Sequence, residues 1–299
     1  MLSFLPSPIK GVFAAVYLAL NTLFWSFPLF GVAAVRAMVP LKSFKRSCSD
    51  ALTRVAEYWI KANNFGLALL HKIHWDISGL EGFRRDRSYL ICANHQSWVD
   101  IVVLCHVFTG KVPLLRFFLK HELRYLPIIG TACWLLDFPF MKRYSKEYLA
   151  AHPEKRGQDF ETIRRACARF KDKHVSILNF LEGTRYSPLK RIGQNSRYQN
   201  LLMPKVGGIS MVLSAMGQQF DRFIDVTIHY PEGVQNLWGL LSGKLNRVIV
   251  RIQKHEIPRD LFELRLRDEE KFRELVRDWV QDIWANKDAL LTRLKSESA

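Results

Sequence analysis

The chain has 299 residues, of which 48% are hydrophobic and 24% are charged, so it can bury a sizeable core and wholesale disorder is excluded. Lys and Arg total 44 against 28 Asp and Glu, which gives a formal net charge of +16. This balance indicates phosphate-bearing partners, namely nucleic acid, an anionic membrane or phosphorylated substrates. The five cysteines are odd in number and form no Cys-x-x-Cys pair, which excludes a disulfide scaffold and a zinc ribbon.

The N-terminal segment from Gly11 to Val35 contains 25 residues without a charge. As a helix it would be roughly 37 Å long, enough to cross a hydrocarbon core of about 30 Å. The run is too long, and its upstream flank too poor in positive charge, for a typical cleaved signal peptide. Pro28 leaves open a second arrangement, in which two shorter helices lie in the membrane interface.

The charges on either side of this segment predict its orientation. Only Lys10 precedes it, whereas four basic residues follow closely: Arg36, Lys42, Lys45 and Arg46. The positive-inside tendency therefore places the rest of the chain in the cytoplasm, in line with its free cysteines. We expect residues 1–50 to form a membrane anchor with a basic flank. A second apolar stretch, 126–141, is short for a span and is predicted to be buried or interfacial.

The remainder of the chain alternates helical patterns with short apolar runs. Residues 51–80 have helical spacing and predict an amphipathic connector, which we place at 51–88. Five apolar runs predict strands: Tyr89–Ala93, Val112–Leu119, Val175–Leu181, Phe223–Tyr230 and Arg247–Ile252. With helical segments at 159–173 and 207–220, the pattern predicts an α/β domain over 89–260, with a mixed, mostly parallel sheet flanked by helices. Residues 261–299 predict a C-terminal amphipathic helix packed on that domain.

The first candidate motif, Asn94-His95-Gln96-Ser97-Trp98-Val99-Asp100, directly follows a predicted strand. In one continuous helix, His95 and Asp100 would point about 140° apart. They can meet only if His95 lies in the turn and Asp100 in the first helical turns. The carboxylate would then accept the Nδ1 proton and leave Nε2 basic, as a general base requires. A purely structural histidine–aspartate pair is the alternative.

The second candidate motif, Glu182-Gly183-Thr184-Arg185, follows the predicted strand 175–181. Backbone N–H groups, a hydroxyl and a planar guanidinium at one place suit a phosphate monoester, because Arg binds two oxygens in parallel. The run from Arg185 to Lys205 adds to this, since it carries five basic residues and no acidic one. The alternatives are an ordinary turn, with Arg185 paired to Glu182, and a solvated loop face.

Together, in this order and 87 residues apart, the two motifs resemble those of the 1-acylglycerol-3-phosphate acyltransferase family, Asn-His-x-x-x-x-Asp and Phe-Pro-Glu-Gly-Thr-Arg. The segment from Lys120 to Gly130 looks like the family's Lys-x-Glu-Leu-x-x-x-Pro-x-x-Gly, and Arg143 stands where that second block ends in Arg. The hydrophobic run ending at Pro231 is similar to the final block. Leu201–Lys205 is closer to the lysocardiolipin-type branch, and we expect a bacterial member.

This resemblance implies the glycerolipid acyltransferase fold and a membrane-bound O-acyltransferase. It implies that His95 is the general base and that Asp100 orients its imidazole. The acceptor phosphate would be held by Arg185, Lys120, Arg143, Glu182, Gly183 and Thr184, with Asn94 and Pro231 supporting the motifs.

The implied partners are a lysophospholipid acceptor, above all 1-acylglycerol-3-phosphate, an acyl thioester donor and an anionic membrane surface. The donor is acyl-CoA or acyl carrier protein. We expect no cofactor, no metal and no nucleic acid. The implied location is the bacterial inner membrane, with the catalytic domain facing the cytoplasm.

Three other functions stay open on the sequence. An acyltransferase of the same kind would remodel lysophosphatidylglycerol or lysocardiolipin. A lipid hydrolase would use Ser97 or Ser176 with His95, but the chain lacks the Gly-x-Ser-x-Gly elbow. A non-enzymatic binder of nucleic acid or anionic lipid fits the basic charge, but it gives no reason for His95, Asp100 and the 182–185 motif to occur together.

Overall fold

An N-terminal pair of helices precedes a layered α/β structure. The computed structural model describes residues 6–142, 148, 151–152, 158–170 and 173–298. The helices are α1 (Ser7–Met38), α2 (Lys42–Leu70), α3 (Val99–Phe108), α4 (Ile129–Leu135), α5 (Gln158–Ala168), α6 (Pro188–Gly193), α7 (Gly207–Met216), α8 (Leu237–Leu241), α9 (Asp260–Arg267) and α10 (Glu269–Ser298). The strands are β1 (His74–Ser78), β2 (Ser88–Ala93), β3 (Leu115–Phe117), β4 (Leu119–Lys120), β5 (Phe140–Met141), β6 (Ser176–Phe180), β7 (Phe220–His229) and β8 (Arg247–His255).

Helices α1 and α2 form an antiparallel hairpin. The Tyr17 hydroxyl donates to the Ala62 carbonyl at 2.7 Å, and the Trp59 indole N–H donates to Thr22 Oγ1 at 3.2 Å. Pro28 lies inside α1 without dividing it, so the predicted alternative of two shorter helices is not formed. Helix α2 also crosses position 50, where the sequence placed a domain boundary; the predicted boundaries at 50, 88 and 260 stay predictions.

The outer face of α1 is apolar. Within the described part of the chain, α1 is the single helix long and apolar enough to cross a membrane, with a mean hydropathy of 1.6. Its large hydrophobic side chains that are at least 44% exposed are Ile9, Val12, Phe13, Val16, Leu20, Leu23, Phe24, Phe27, Val35 and Met38. Its partner α2 carries seven charged residues. One of them, the buried Glu57, accepts both its bonds from Arg85 and so ties the hairpin to the α/β layers.

The connector is helical only as far as Leu70. The prediction of a helix up to residue 80 is wrong, because His74–Ser78 forms strand β1 and pairs in parallel with β8. Ile73, Trp75 and Ile77 alternate with polar residues, which is a strand period of two that the longer helical pattern obscured. The Trp75 ring stacks on His106 of α3 at 3.9 Å between ring centroids, so tertiary packing holds the strand in place.

The main sheet has six strands in the order β1-β8-β7-β2-β6-β3. Every adjacent pair is parallel except β7 and β8, which run antiparallel. The predicted strand 112–119 is shorter than expected, because β3 covers only Leu115–Phe117 and β4 pairs with β5 in a separate small sheet. The predicted fold class, a mixed and mostly parallel sheet flanked by helices, is confirmed.

Both faces of the sheet are covered, which explains why β2 is apolar from Tyr89 to Ala93. Leu90 and Cys92 of β2 point into one core, which α5, α7 and α10 complete. Tyr89, Ile91 and Ala93 point into the other core, against α3 and α8. Residues in a strand alternate between faces, so a strand buried on both sides is apolar at most of its positions.

Two further predicted segments are each divided into two elements. The stretch 126–141 contains the seven-residue helix α4, which packs beside α1, and strand β5. Leu136 is buried, whereas Leu126, Ile129 and Trp134 are about half exposed. The predicted single helix over 261–299 is two helices, α9 and α10. Helix α10 buries the stripe that includes Phe272, Val276 and Trp284 in the first core.

Candidate active site

His95 and Asp100 meet at the carboxyl end of β2. His95 follows Ala93 and Asn94 in the turn, and Asp100 lies in the first turn of α3, as the spacing predicted. His95 Nδ1 lies 2.8 Å from Asp100 Oδ2. An ionised carboxylate can only accept hydrogen bonds, so in this contact Nδ1 carries the proton and Nε2 keeps its lone pair.

The Asp100 carboxylate is fixed from several sides. Its Oδ2 also accepts the backbone N–H groups of Gln96 at 2.5 Å and Ser97 at 2.8 Å. Its Oδ1 accepts the Tyr230 hydroxyl at 2.6 Å. Burial raises the pKa of Tyr230 well above its ordinary value, and the Asp100 charge raises it further, so Tyr230 stays a donor. Asp100 is fully buried, and these hydrogen bonds hold its carboxylate in one position.

Sequence reasoning missed Tyr230. It stands one residue before Pro231, at the end of the hydrophobic run that we matched to the final family block. A tyrosine at the edge of an otherwise aliphatic run is a weak signal, because its hydroxyl needs a partner when buried. Only the parallel pairing of β2 with β7 brings that hydroxyl to Asp100.

The His95 imidazole is held on one face and partly open. Its ring stacks on Phe180 with 4.0 Å between centroids and 17° between planes. Its side chain is 16% exposed, while that of Asp100 is 0% exposed. Phe180 is the last residue of β6, which pairs with β2, the strand that precedes the His95 turn. The sequence analysis did not single it out.

Glu182 holds the backbone of His95. Its Oε1 accepts the His95 backbone N–H at 2.8 Å, and its Oε2 accepts the Leu202 backbone N–H at 3.1 Å. Burial raises the pKa of Glu182 to about 7, and these two bonds and the Lys287 charge oppose that shift. The Tyr186 N–H donates to the His95 carbonyl at 2.7 Å, so the 182–186 segment hydrogen-bonds both the backbone N–H and the backbone carbonyl of His95.

Asn94 connects the same turn to β7. Its side-chain amide donates to the Ile228 carbonyl at 2.9 Å and accepts the Ile228 N–H at 2.8 Å. Strand β7 then ends at His229, shortly before Pro231, which has no N–H to continue a ladder. Asn94 thus ties the turn that holds His95 to β7, and the supporting role of Pro231 stays a prediction.

A buried ion pair lies between α10 and the sheet. Lys287 Nζ lies 2.8 Å from Asp225 Oδ1, with both side chains at most 1% exposed. Lys287 also donates to the Val226 carbonyl at 2.6 Å. Asp225 of β7 pairs with Cys92 of β2, and Cys92 lies two residues before Asn94. Lys287 of the C-terminal helix is also close enough to Glu182 for its charge to oppose the rise in the pKa of that carboxyl. The sequence analysis did not find this lysine.

Gly183 and Thr184 form the turn after β6. Gly183 has a φ of +67°, and a Cβ there would lie 2.9 Å from Lys205 Cδ, so the Lys205 side chain packs directly on this backbone. A side chain at residue 183 would be strained in this left-handed region. Thr184 Oγ1 accepts a bond from Lys190 Nζ at 2.8 Å. Two lysines therefore lie next to the turn that the sequence assigned to a phosphate.

Arg185 is exposed and does not pair with Glu182, whose oxygens accept backbone N–H groups instead. Its guanidinium carbon lies 5.7 Å from the centre of the Trp98 ring. Among the described residues no carboxylate lies within ion-pair distance of Arg185, so its charge is available for an anion. The ordinary turn with an Arg185–Glu182 pair is not what the structure contains.

Two further residues assigned to the phosphate are not joined to this cluster. Lys120 is exposed at the end of β4, and among the described residues no hydrogen bond, ion pair or ring contact connects it to His95 or Arg185. It lies shortly after β3, which runs parallel to β6, so both strands lead to the same edge of the sheet. Arg143 lies outside the described residues.

The described residues contain no group of three or more His, Cys, Asp or Glu side chains arranged to hold a metal ion. The arrangement instead offers a basic imidazole nitrogen beside a group of cationic side chains. That combination can remove a proton from an uncharged hydroxyl of a molecule whose anionic group rests on the cations.

The sheet and this site define the class of protein. Its fold is that of a solved structure, the 1-acyl-sn-glycerophosphate acyltransferase PlsC from Thermotoga maritima, with a TM-score of 0.55 and 18% identity over 93% of this chain and 98% of that chain. The family model named Acyltransferase matches residues 74–231, more than half of the chain. The chain belongs to the Acyltransferase family.

Curated relatives agree with this membership. The 1-acyl-sn-glycerol-3-phosphate acyltransferase 3 of Arabidopsis thaliana is 25% identical over 219 residues, covering 68% of this chain and 53% of that protein. The human 1-acyl-sn-glycerol-3-phosphate acyltransferase gamma is 24% identical over 284 residues, covering 83% of this chain and 68% of that protein. This chain spans about half the length of the plant relatives that it matches.

Proposed function

We propose that the protein is a membrane-bound O-acyltransferase that converts a lysophospholipid to a diacyl phospholipid, most simply 1-acylglycerol-3-phosphate to phosphatidic acid. The names of the curated relatives support this acceptor. The observation that carries the proposal is the Asp100–His95 pair, with Nδ1 bonded at 2.8 Å and the imidazole partly open beside an uncompensated Arg185.

The proposed reaction uses that geometry. His95 Nε2 takes the proton of the acceptor hydroxyl while that oxygen attacks the thioester carbonyl of acyl-CoA or acyl carrier protein. The carbon–sulfur bond then breaks, and the imidazolium returns the proton to the departing thiolate. Asp100 stabilises the imidazolium and fixes its tautomer, and no covalent enzyme intermediate is required.

The acceptor phosphate would rest on Arg185, with Lys205 and the backbone N–H of Thr184 around it; the Gly183 N–H is not available, because it donates to the Phe180 carbonyl at 2.9 Å. Lys190 adds positive charge behind Thr184. Lys120 and Arg143 stay candidates for the same phosphate. Holding the phosphate fixes the hydroxyl relative to Nε2, which converts a bimolecular encounter into an oriented one.

Membrane attachment is proposed through α1. Its outer face is apolar, and its other face packs on α2, whose seven charged residues do not suit a hydrocarbon environment. In the proposed arrangement, the outer face of α1 is buried in one leaflet of the membrane, and the charged residues of α2 stay outside the hydrocarbon core. The basic residues that follow α1 favour the cytoplasmic face of a bacterial inner membrane.

The hydrolase alternative is less well supported. Ser97 Oγ donates to the Gln235 carbonyl at 2.6 Å and accepts the Val99 N–H at 3.2 Å, so its hydroxyl is engaged. Ser176 is fully buried in β6. Neither serine is placed as an activated nucleophile.

The test is acyl transfer by the purified protein, with labelled oleoyl-CoA or oleoyl carrier protein and a panel of lysophosphatidate, lysophosphatidylglycerol and lysocardiolipin. We expect new diacyl lipid, with lysophosphatidate the best acceptor and a His95→Ala control inactive. Release of free fatty acid alone would indicate the hydrolase. Neither product, with folded protein, would leave the non-enzymatic binder.

A further inference from the structure

Helix α6 presents bare apolar side chains beside the candidate phosphate site. Leu189 is 82% exposed and Ile192 is 63% exposed. They are three positions apart, so they lie on one face of the helix. Lys190 and Arg191 stand between them, and the whole run 185–205 has five basic residues and no acidic one. Exposed apolar side chains with basic residues around them are typical of a surface that lies in the headgroup layer of an anionic membrane.

The helix is fixed relative to the site rather than loosely attached. Lys190 Nζ donates to Thr184 Oγ1 at 2.8 Å and to the Arg185 carbonyl at 3.0 Å. At its N-terminus, Ser187 Oγ accepts the Lys190 backbone N–H at 3.3 Å. A contact that fixes the depth of α6 in a membrane would therefore also fix the depth of Arg185.

Contacts join this region to the hairpin. Trp98, which is 49% exposed, lies beneath Arg185, and its neighbour Ser97 bonds the Gln235 carbonyl. Three residues further along the chain, the half-exposed Trp238 packs on α1, since a Cβ at Gly11 would lie 2.7 Å from its ring. Exposed apolar side chains thus continue from α1, past the candidate site, toward α6.

We propose that α6 is a second membrane contact, separate from α1, in which Leu189 and Ile192 enter the interface of an anionic phospholipid layer. The basic run supplies the charge complementarity, and the continuity with α1 selects a membrane over a protein or a nucleic acid. The consequence of this contact rests on the proposed function. If the substrate is a lysophospholipid, its phosphate would reach Arg185 while its acyl chain stays in the bilayer.

The experiment uses the full chain and the double variant Leu189→Ser/Ile192→Ser. Both side chains lie in solvent, so the fold should survive, and the variant Leu189→Met/Ile192→Met is the matched control that keeps the surface apolar. Each protein is given oleoyl-CoA with either a short-chain, monomeric lysophosphatidate or oleoyl-lysophosphatidate in vesicles. The vesicles are phosphatidylcholine alone or phosphatidylcholine mixed with phosphatidylglycerol.

We expect the serine variant to match the wild type on the monomeric acceptor and to need about tenfold more oleoyl-lysophosphatidate in the mixed vesicles, because two buried apolar contacts are lost. The methionine variant should behave as the wild type. Equal activity of both variants in vesicles would overturn the proposal. Equal loss on both acceptors would also overturn it, since α6 would then act on the site itself.

A second readout does not depend on catalysis. Mixed vesicles should slow amide hydrogen exchange at residues 188–193 in the wild type, and phosphatidylcholine alone should slow it less. If exchange at α6 is unchanged by both kinds of vesicle, the contact does not exist. If exchange slows while no acyl transfer occurs with either acceptor, the proposed function fails and the membrane contact stands.

Discussion

Glu182 Oε1 accepts the backbone N–H of His95 at 2.8 Å, although 87 positions separate the two residues. The carboxylate is fully buried, and its other oxygen binds the Leu202 N–H. The glutamate of the second motif therefore places the histidine of the first one. A residue that the sequence assigned to the acceptor phosphate lies instead behind the proposed base and fixes its backbone.

Replacing His95 by Ala should reduce the turnover number at least 10²- to 10⁴-fold, the usual contribution of a positioned base. Asp100→Asn should be similarly severe, because an amide neither stabilises imidazolium nor selects the tautomer. Saturating-substrate kinetics measure this, and circular dichroism checks the fold. Near-normal turnover of His95→Ala would refute the general-base role.

Tyr230→Phe should lower the turnover number about tenfold and change the Michaelis constants little. It removes the bond to Asp100 Oδ1, worth about 1–1.5 kcal/mol, while keeping the ring. The matched control is Tyr89→Phe, whose hydroxyl accepts the Arg84 N–H away from the site. Equal effects of the two variants would show that Tyr230 acts only on stability.

Glu182 makes a pH-dependent contribution to stability. Its native pKa of about 7 lies above the ordinary value of 4.5, so the native state holds the proton more strongly than the unfolded state. This contribution is fully present below about pH 4.5 and is lost as the pH rises through about 7, a change of roughly 3 kcal/mol.

The measurement is urea unfolding of the wild type and Glu182→Gln in detergent at about pH 5 and pH 8. Glutamine does not titrate, so the stability difference, wild type minus variant, should shrink by up to about 3 kcal/mol at the higher pH. A constant difference would mean that Glu182 keeps an ordinary pKa in the native state.

Lys287→Met should destabilise the protein by about 3–5 kcal/mol, because it leaves the Asp225 carboxylate buried without its cation. The double variant Lys287→Met/Asp225→Leu removes both charges and should recover most of that loss. Urea midpoints compare the three proteins. A double variant as unstable as the single one would mean that packing, and not the unpaired charge, causes the loss.

Arg185→Ala should raise the Michaelis constant for lysophosphatidate about ten- to a hundredfold and leave that for the acyl thioester nearly unchanged. One charge-assisted contact is worth about 1.5–3 kcal/mol. Lys at this position should rescue only in part, since an ammonium lacks the two-pronged geometry. The reverse pattern, with thioester affinity lost, would place the donor's phosphates on Arg185.

The sequence by itself determined the features that depend on local pattern. The apolar runs at β2, β6 and β7 predict strands because both faces of those strands are buried, and the five-residue spacing of His95 and Asp100 requires a turn followed by a helix. The 25-residue uncharged run gave α1 in the same way, since length and apolarity are local properties.

Tertiary structure decided the rest. Strand β1 exists because β8 offers it a hydrogen-bonding edge, and Tyr230, Lys287 and the Glu182–His95 bond depend on strand register and helix docking across more than 60 positions. No local pattern encodes those distances, because they are set only when both cores pack. A buried polar side chain has to find its partner in the folded chain, and that partner is fixed by the topology of the sheet.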